Sequence, residues 1–268
     1  MRHRLFSGLL VAIVFAVPGL AQTSSPEPVQ INPPTARRAE TPSPNATAES
    51  LEERGDSLKA EKAFLDALDF YRAAIKKKPD SASLYNKSGI TELMIQRFRE
   101  AGKDFNHAIK IDQKFADAYN NLGVIFYLQK KYGKAVKQYQ KAISLRSDAA
   151  SFYSNLGSAY FSKKEFDKAI IAYNEAVKLE PDIFERTSRN GVTAHMSSPE
   201  DRAHFDYVLA KLFAKEGNAD RSLQYLRKAL EDGYKNIDDV YKDNEFAALR
   251  KDPRFTELMS ARPPGIPE

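Results

Sequence analysis

The sequence predicts an all-α protein, a solenoid of stacked antiparallel helix pairs. Three observations carry that expectation. The first is self-similarity: Tyr119-Asn-Asn-Leu-Gly returns as Tyr153-Ser-Asn-Leu-Gly, 34 residues on. A fixed period of this length marks a repeat array in which each unit stacks on the next. The second is that the phase extends over four units. Gly55, Gly89, Gly123 and Gly157 share it, as do Ala67, Ala101, Ala135 and Ala169. Tyr71, Phe105, Tyr139 and Tyr173 follow it too, and so do Ala74, Ala108, Ala142 and Ala176. The third is helical spacing inside a unit. Tyr119, Leu122 and Phe126 fall at i, i+3 and i+7 of one helix, and Ala135, Tyr139 and Ala142 at i, i+4 and i+7 of the next.

Composition bounds the function. Of 268 residues, 42% are hydrophobic and 29% charged, which is ordinary for a globular chain. Cysteine is absent, so disulfides, thiolate zinc sites, a thiol nucleophile and a lipid-bearing cysteine are all excluded.

Taken in order, residues 1–21 read as an export signal. Arg2, His3 and Arg4 precede an apolar stretch from Leu5 to Val17, and Pro18-Gly19-Leu20-Ala21 ends in small residues before Gln22. The apolar stretch is short for a membrane span of about 20 residues. The expected location is therefore periplasmic or secreted, with an uncleaved N-terminal anchor as the alternative. Cleavage removes two of 41 basic residues and none of 36 acidic ones, leaving +3. That charge is too mild to imply nucleic acid on its own. Residues 22–47 hold six prolines among Ser, Thr, Gln and Ala, and are expected to form a semi-extended tether.

Four repeats follow, at 48–81, 82–115, 116–149 and 150–183. The first is degenerate, with Arg54 and Leu51 at positions that are Leu and Tyr in the third and fourth. The second carries Ser88 and Glu92 at core-type positions. Residues 184–200 show little periodicity. Gly191, Ala203, Tyr207 and Ala210 keep the phase of a decayed fifth repeat. The preferred frame instead starts a helix at Ser198-Pro199 and expects helices 201–216 and 219–232 around a Gly217-Asn218 turn. Residues 244–260 are expected to form two short helical stretches, split at Asp252-Pro253. Phe246, Leu249, Phe255, Leu258 and Met259 would cap the last face, and a frayed tail begins at Arg262.

This pattern resembles the tetratricopeptide repeat, with Pro79 and Pro181 at the family's closing proline and Gln113 and Ser147 in its place in the middle units. The resemblance implies a right-handed solenoid whose first helices line a concave groove. It also implies a scaffold that binds a protein or peptide partner without catalysis of its own. Groove positions carried over from the family are Asn86, Asn120, Val124, Tyr127, Ser154, Ser158 and Phe161, joined by Ile90 and Leu93. Tyr127 and Phe161 are read as ring anchors, with inter-helix filling as the alternative. The Lys/Arg clamp that some family members use on a peptide carboxylate has no counterpart here.

A second surface is basic. Arg97, Lys130, Lys131, Lys134, Lys163, Lys164 and Lys168 follow the intra-repeat turns in phase. They read first as a solvated face, and alternatively as an edge that docks an envelope assembly or anionic headgroups. No phosphate loop, nucleophile elbow or His-Glu-x-x-His occurs. His195 and His204, nine apart, share no helical face and lack a third ligand, so neither metal nor cofactor is expected.

Overall fold

The computed structural model describes residues 40–184 and 198–261. The leader at 1–21, the arm through residue 39, Gly191, His195 and the tail from Arg262 lie outside the described residues.

Four helix pairs run in sequence: α1 (Ala48–Ala60) with α2 (Phe64–Lys77), α3 (Ala82–Met94) with α4 (Phe98–Ile111), α5 (Ala116–Leu128) with α6 (Tyr132–Leu145), and α7 (Ala150–Ser162) with α8 (Phe166–Leu179). Their first helices begin 34 residues apart. Each pair packs internally and each second helix rests on the next first helix, which is the stacking that defines a solenoid. A fifth pair, α9 (Pro199–Lys215) and α10 (Ala219–Glu231), packs on α8. Short 3₁₀ turns at Ile237–Tyr241, Asn244–Phe246 and Leu249–Lys251 and the helix α11 (Pro253–Ser260) close the described chain. Among the described residues there is no strand.

One ring fills each pair. Tyr71, Phe105, Tyr139 and Tyr173 are wholly buried. A Cβ added at Gly55, Gly89 or Gly123 would lie 2.5–2.7 Å from the ring of its own pair, and Gly157 is as tightly covered. The glycine therefore makes room for the aromatic ring itself.

Every first helix ends in the same device. Lys62, Gln96, Lys130 and Lys164 adopt φ of 58–63°, and Gly217 takes the same place after α9. The next N–H bonds five residues back, as in Lys131 N to Phe126 O (2.8 Å), Glu165 N to Tyr160 O (3.0 Å) and Asn218 N to Phe213 O (2.9 Å). These are Schellman closures, which satisfy orphan carbonyls by a left-handed residue. Their recurrence after α9 gives the fifth pair the same turn as the other four.

Glu92 finds its account here. It stands where neighbouring pairs have Leu58, Phe126 and Tyr160, it is fully buried, and it pairs with Arg72 of α2 and lies 3.7 Å from Arg97. In the same register, Gln140 of α6 donates to the Tyr160 hydroxyl at 3.0 Å. The second helix thus reaches across each of these two junctions with a polar side chain. Burial pushes the Glu92 carboxyl up, against the two guanidinium groups.

Three expectations need correction. The tether does not run free to residue 47: Arg54 donates to Glu40 at 2.8 Å, Lys77 to the Pro44 carbonyl at 2.9 Å, and Ala46 packs on the first core. Thr47 then caps α1 by accepting from the Ser50 N–H at 3.1 Å. The helix start expected at Ser198-Pro199 is present, with Ser198 accepting from the Asp201 N–H and proline in the first turn, but the helix runs Pro199–Lys215 where 201–216 was expected. The first short helical stretch expected after residue 244 is two 3₁₀ turns, Asn244–Phe246 and Leu249–Lys251, with a third before them at Ile237–Tyr241. They bury Ile237, Val240, Phe246 and Leu249 at close intervals, and tight turns of three residues can aim these inward where one straight helix cannot.

Candidate binding face of the first helices

Helices α1, α3, α5 and α7 lie side by side and are linked by a ladder of polar pairs. Lys87 contacts Glu52 at 2.6 Å, Asn121 Nδ2 donates to Asn86 Oδ1 at 2.9 Å, and Asn155 Nδ2 donates to Asn120 Oδ1 at 3.0 Å. Each pair is 35 residues apart, one more than the period. The reason is geometric: neighbouring first helices meet at positions one residue out of step. Ser162 donates to the Tyr127 hydroxyl at 2.9 Å across the same offset, and completes the ladder at the turn end.

The charged end of this face lies between the first two pairs. Lys87 also contacts Asp56 at 2.6 Å, and the Tyr71 hydroxyl donates to Asp56 at 2.6 Å. Burial works to raise the Asp56 carboxyl, but the hydrogen bonds from Lys87 and Tyr71 outweigh it and hold it below the ordinary range. Burial and the nearby Asp56 carboxylate push the Tyr71 phenol up.

Of the residues expected to line a groove, Asn86, Asn120, Ser154, Ser158, Tyr127 and Phe161 are all less than a tenth exposed, and Val124 is half-buried. Asn86 and Asn120 are ladder acceptors. Ser158 donates to the Ser154 carbonyl at 3.0 Å, and Tyr173 donates to Ser158. Tyr127 and Phe161 do not stand free as anchors. Tyr127 packs on Tyr132 at 5.3 Å between ring centres, and Phe161 on Phe166, His204 and Phe205. Their rings are drawn into the helix interfaces because large apolar surface is stabilised most by full burial. The half-exposed groups on this face are Lys87, Ile90, Leu93, Asn121, Val124 and Asn155. Asn121 and Asn155 were missed as site residues, since Asn is a common choice at that place in the family. The signal that finds them is the recurrence of polar residues at i and i+35.

The rings at the second-helix position answer to the residue beside them on this face. Asp56 meets Tyr71 and Ser158 meets Tyr173, so both hydroxyls are satisfied. Val124 stands at the corresponding place beside Tyr139, whose buried hydroxyl has no partner among the described residues. Burial drives that phenol well above its ordinary value.

The basic residues lie at the turns, away from the ladder. Lys130, Lys131, Lys134, Lys163, Lys164, Lys168 and Arg97 are all exposed. Lys163 and Lys168 pair with Glu165, and Lys134 lies 5.7 Å from the Phe126 ring centre. Elsewhere His107 stacks on Tyr85 at 4.2 Å, and His204 sits among Phe166, Phe161 and Tyr234 rings, where burial lowers its pKa. Among the described residues no group of three or more metal-type ligands is assembled.

Comparison with known proteins follows this geometry. Family models described as TPR repeat and tetratricopeptide repeat match residues 105–137, 123–164 and 150–183. The chain is 41% identical over 54 residues to the Mus musculus protein DnaJ homolog subfamily C member 7. That overlap covers 20% of this chain and 11% of that protein, so the chain spans only about a tenth of the relative's length. Among solved structures, the MamA protein is 23% identical, with 74% of this chain and 95% of that one covered and a TM-score of 0.49. MamA 41-end from Desulfovibrio magneticus RS-1 is 16% identical, covering 69% of this chain and 93% of that one, with a TM-score of 0.50. The last likeness speaks to the fold alone.

Proposed function

We propose that this chain, a tetratricopeptide-repeat protein, is an exported scaffold. It captures an extended protein segment along the face of its first helices and performs no catalysis of its own. The observation that carries this reading is the ladder at i and i+35. It fixes four first helices edge to edge before any partner arrives, so little ordering cost remains for binding. The contact groups are the half-exposed Asn121, Val124 and Asn155. An amide has two N–H donors and an oxygen with two lone pairs, so each ladder asparagine keeps hydrogen-bonding capacity after its bond to the neighbouring helix. Val124 offers apolar surface between them. Tyr127 and Phe161 support the face from beneath and make no direct contact in this reading.

Export is supported by the basic, apolar and small-residue order of residues 1–21. Sequencing of the native protein is expected to begin at or near Gln22. Recovery of Met1 in the membrane fraction overturns cleavage and leaves the N-terminal anchor.

Binding is tested by comparative capture from an envelope extract. The protein is compared with Asn121→Ala/Asn155→Ala and with Val124→Glu, and bound proteins are identified by mass spectrometry. A partner held by the parent and lost by both face variants is expected. Equal capture by all three overturns the first-helix face as the site.

A further inference from the structure

The turn between α5 and α6 gathers positive charge with no acid of its own. Lys130, Lys131, Lys134 and Lys137, joined by Lys163 from the next pair, line an open surface hollow of about 510 Å³ with Tyr132 and Gly133. No acid is among the lining residues. Lys130, Lys134 and Lys137 have no ion-pair partner among the described residues, and Lys131 donates only to the Gln129 side chain at 2.9 Å.

The arrangement is particular to this turn. The second helices α2, α4, α8 and α10 carry Asp66, Glu100, Asp167 and Asp220 in their first turns, whereas α6 carries no acid there. In the fourth pair Glu165 neutralises Lys163 and Lys168. At the second turn Arg97 is drawn toward Glu92. The third turn differs from these in gathering four lysines around the start of a second helix that opens without an acid. Its backbone is fixed by the closure at Lys130, whose φ is 58° and whose N–H bonds the Tyr127 carbonyl at 2.8 Å. A Cβ placed on Gly133 would meet nothing within 4 Å, so the floor of the hollow is open.

We propose that this lysine hollow docks an acidic, glutamate- or aspartate-rich stretch of a protein partner, independently of the first-helix face. Charge complementarity selects a carboxylate-bearing ligand, since clustered ammonium groups raise the local concentration of anions and speed their arrival. The shape selects a narrow segment over a bilayer. The cations line one open hollow, and the exposed acid Asp167 of α8 flanks the neighbouring turn, where a continuous anionic surface would meet it as well.

The test uses the full chain, labelled oligoglutamate, oligoglutamine of the same length, and vesicles of phosphatidylglycerol in phosphatidylcholine. Saturable binding of oligoglutamate that weakens as salt rises is expected, with none of oligoglutamine. Lys134→Glu/Lys137→Glu is expected to weaken it by about tenfold or more, because reversal replaces attraction by repulsion. Reversing the exposed Lys76 and Lys110 on α2 and α4 is expected to change it by less than about twofold. Lys134→Gln/Lys137→Gln gives the same ranking, with a smaller loss, should the reversal impair folding. Equal weakening by the hollow and control variants overturns the proposal. So does vesicle binding without oligoglutamate binding.

Discussion

Gly123 is placed by a ring. The Tyr139 ring, wholly buried, lies where a side chain at 123 would begin, at 2.5 Å from an added Cβ. A buried ring cannot swing away, so even the smallest side chain overpacks the site. Gly123→Ala is expected to destabilise by about 1–3 kcal/mol despite alanine's better helix propensity. Chemical denaturation reads this, and an unchanged midpoint would place Gly123 away from any close contact. The ring's own hydroxyl gives a second prediction of opposite signs. Tyr139 buries an OH without a partner, so Tyr139→Phe is expected to be neutral or to stabilise by up to about 1 kcal/mol. Tyr71 donates to Asp56, so Tyr71→Phe is expected to cost about 1 kcal/mol. The two variants melting alike would show that the partner at 56 or 124 does not matter.

At the level of elements, the recurring closure of the first helices matters most. Four closures use Lys or Gln in the left-handed region, and the fifth uses Gly217. A left-handed L-residue costs roughly 1–2 kcal/mol through its Cβ, a penalty that glycine escapes. Lys164→Gly is therefore expected to raise stability by about 1 kcal/mol, while the same change at the exposed mid-helix residue Lys103 of α4 lowers it by a similar amount. Thermal melts of the two variants moving the same way would exclude this origin. The junctions obey a second rule. Two pairs offer the next a polar group twenty residues ahead, Arg72 to Glu92 and Gln140 to Tyr160. Glu92, odd as a core residue in one repeat, is ordinary as half of a junction.

For the described molecule as a whole, the core is uneven. The largest continuous cluster runs from α7 through α8 and the fifth pair into the 3₁₀ turns and α11, while the first three pairs hold smaller clusters. Asp206 sits in that C-terminal part, where burial chiefly, with a smaller push from Asp232 and against Lys228 and Arg202, raises its carboxyl to about 7. The unfolded chain releases this proton near its ordinary value of 3.8. The folded chain thus holds a proton that the unfolded chain lacks between about pH 4 and 7. This stabilisation is full below about pH 4 and is lost as pH rises through about 7. Asp206→Asn is expected to flatten that decline in melting temperature. Glu92 and Asp104 are raised in the same direction and keep some slope. A full decline in the Asn variant would show that Asp206 is already ionised in the fold.

The sequence by itself determined the helix-pair solenoid. Its 34-residue period is written in small and aromatic residues, because stacked units can bury only what recurs in phase. It also marked Gly123 and its counterparts, since a mid-helix glycine returning four times has to be packed against something. The basic turns were legible for the same reason of phase. Tertiary structure decided which groups face outward. Tyr127 shares one helical face with Val124, as Phe161 does with Ser158 on α7, but the neighbouring helices cover the rings and leave the valine half open, and one helix's periodicity does not contain its neighbours. The ladder of Asn86, Asn121, Asn120 and Asn155 was equally hidden, because its offset of 35 departs by one residue from the period that the alignment follows. The partners of Glu92 lie on α2 and at the start of α4, and the hollow that gathers Lys130, Lys131, Lys134, Lys137 and Lys163 forms only once two pairs stack. Each of these depends on distances between segments far apart in the chain, which packing sets and local pattern does not.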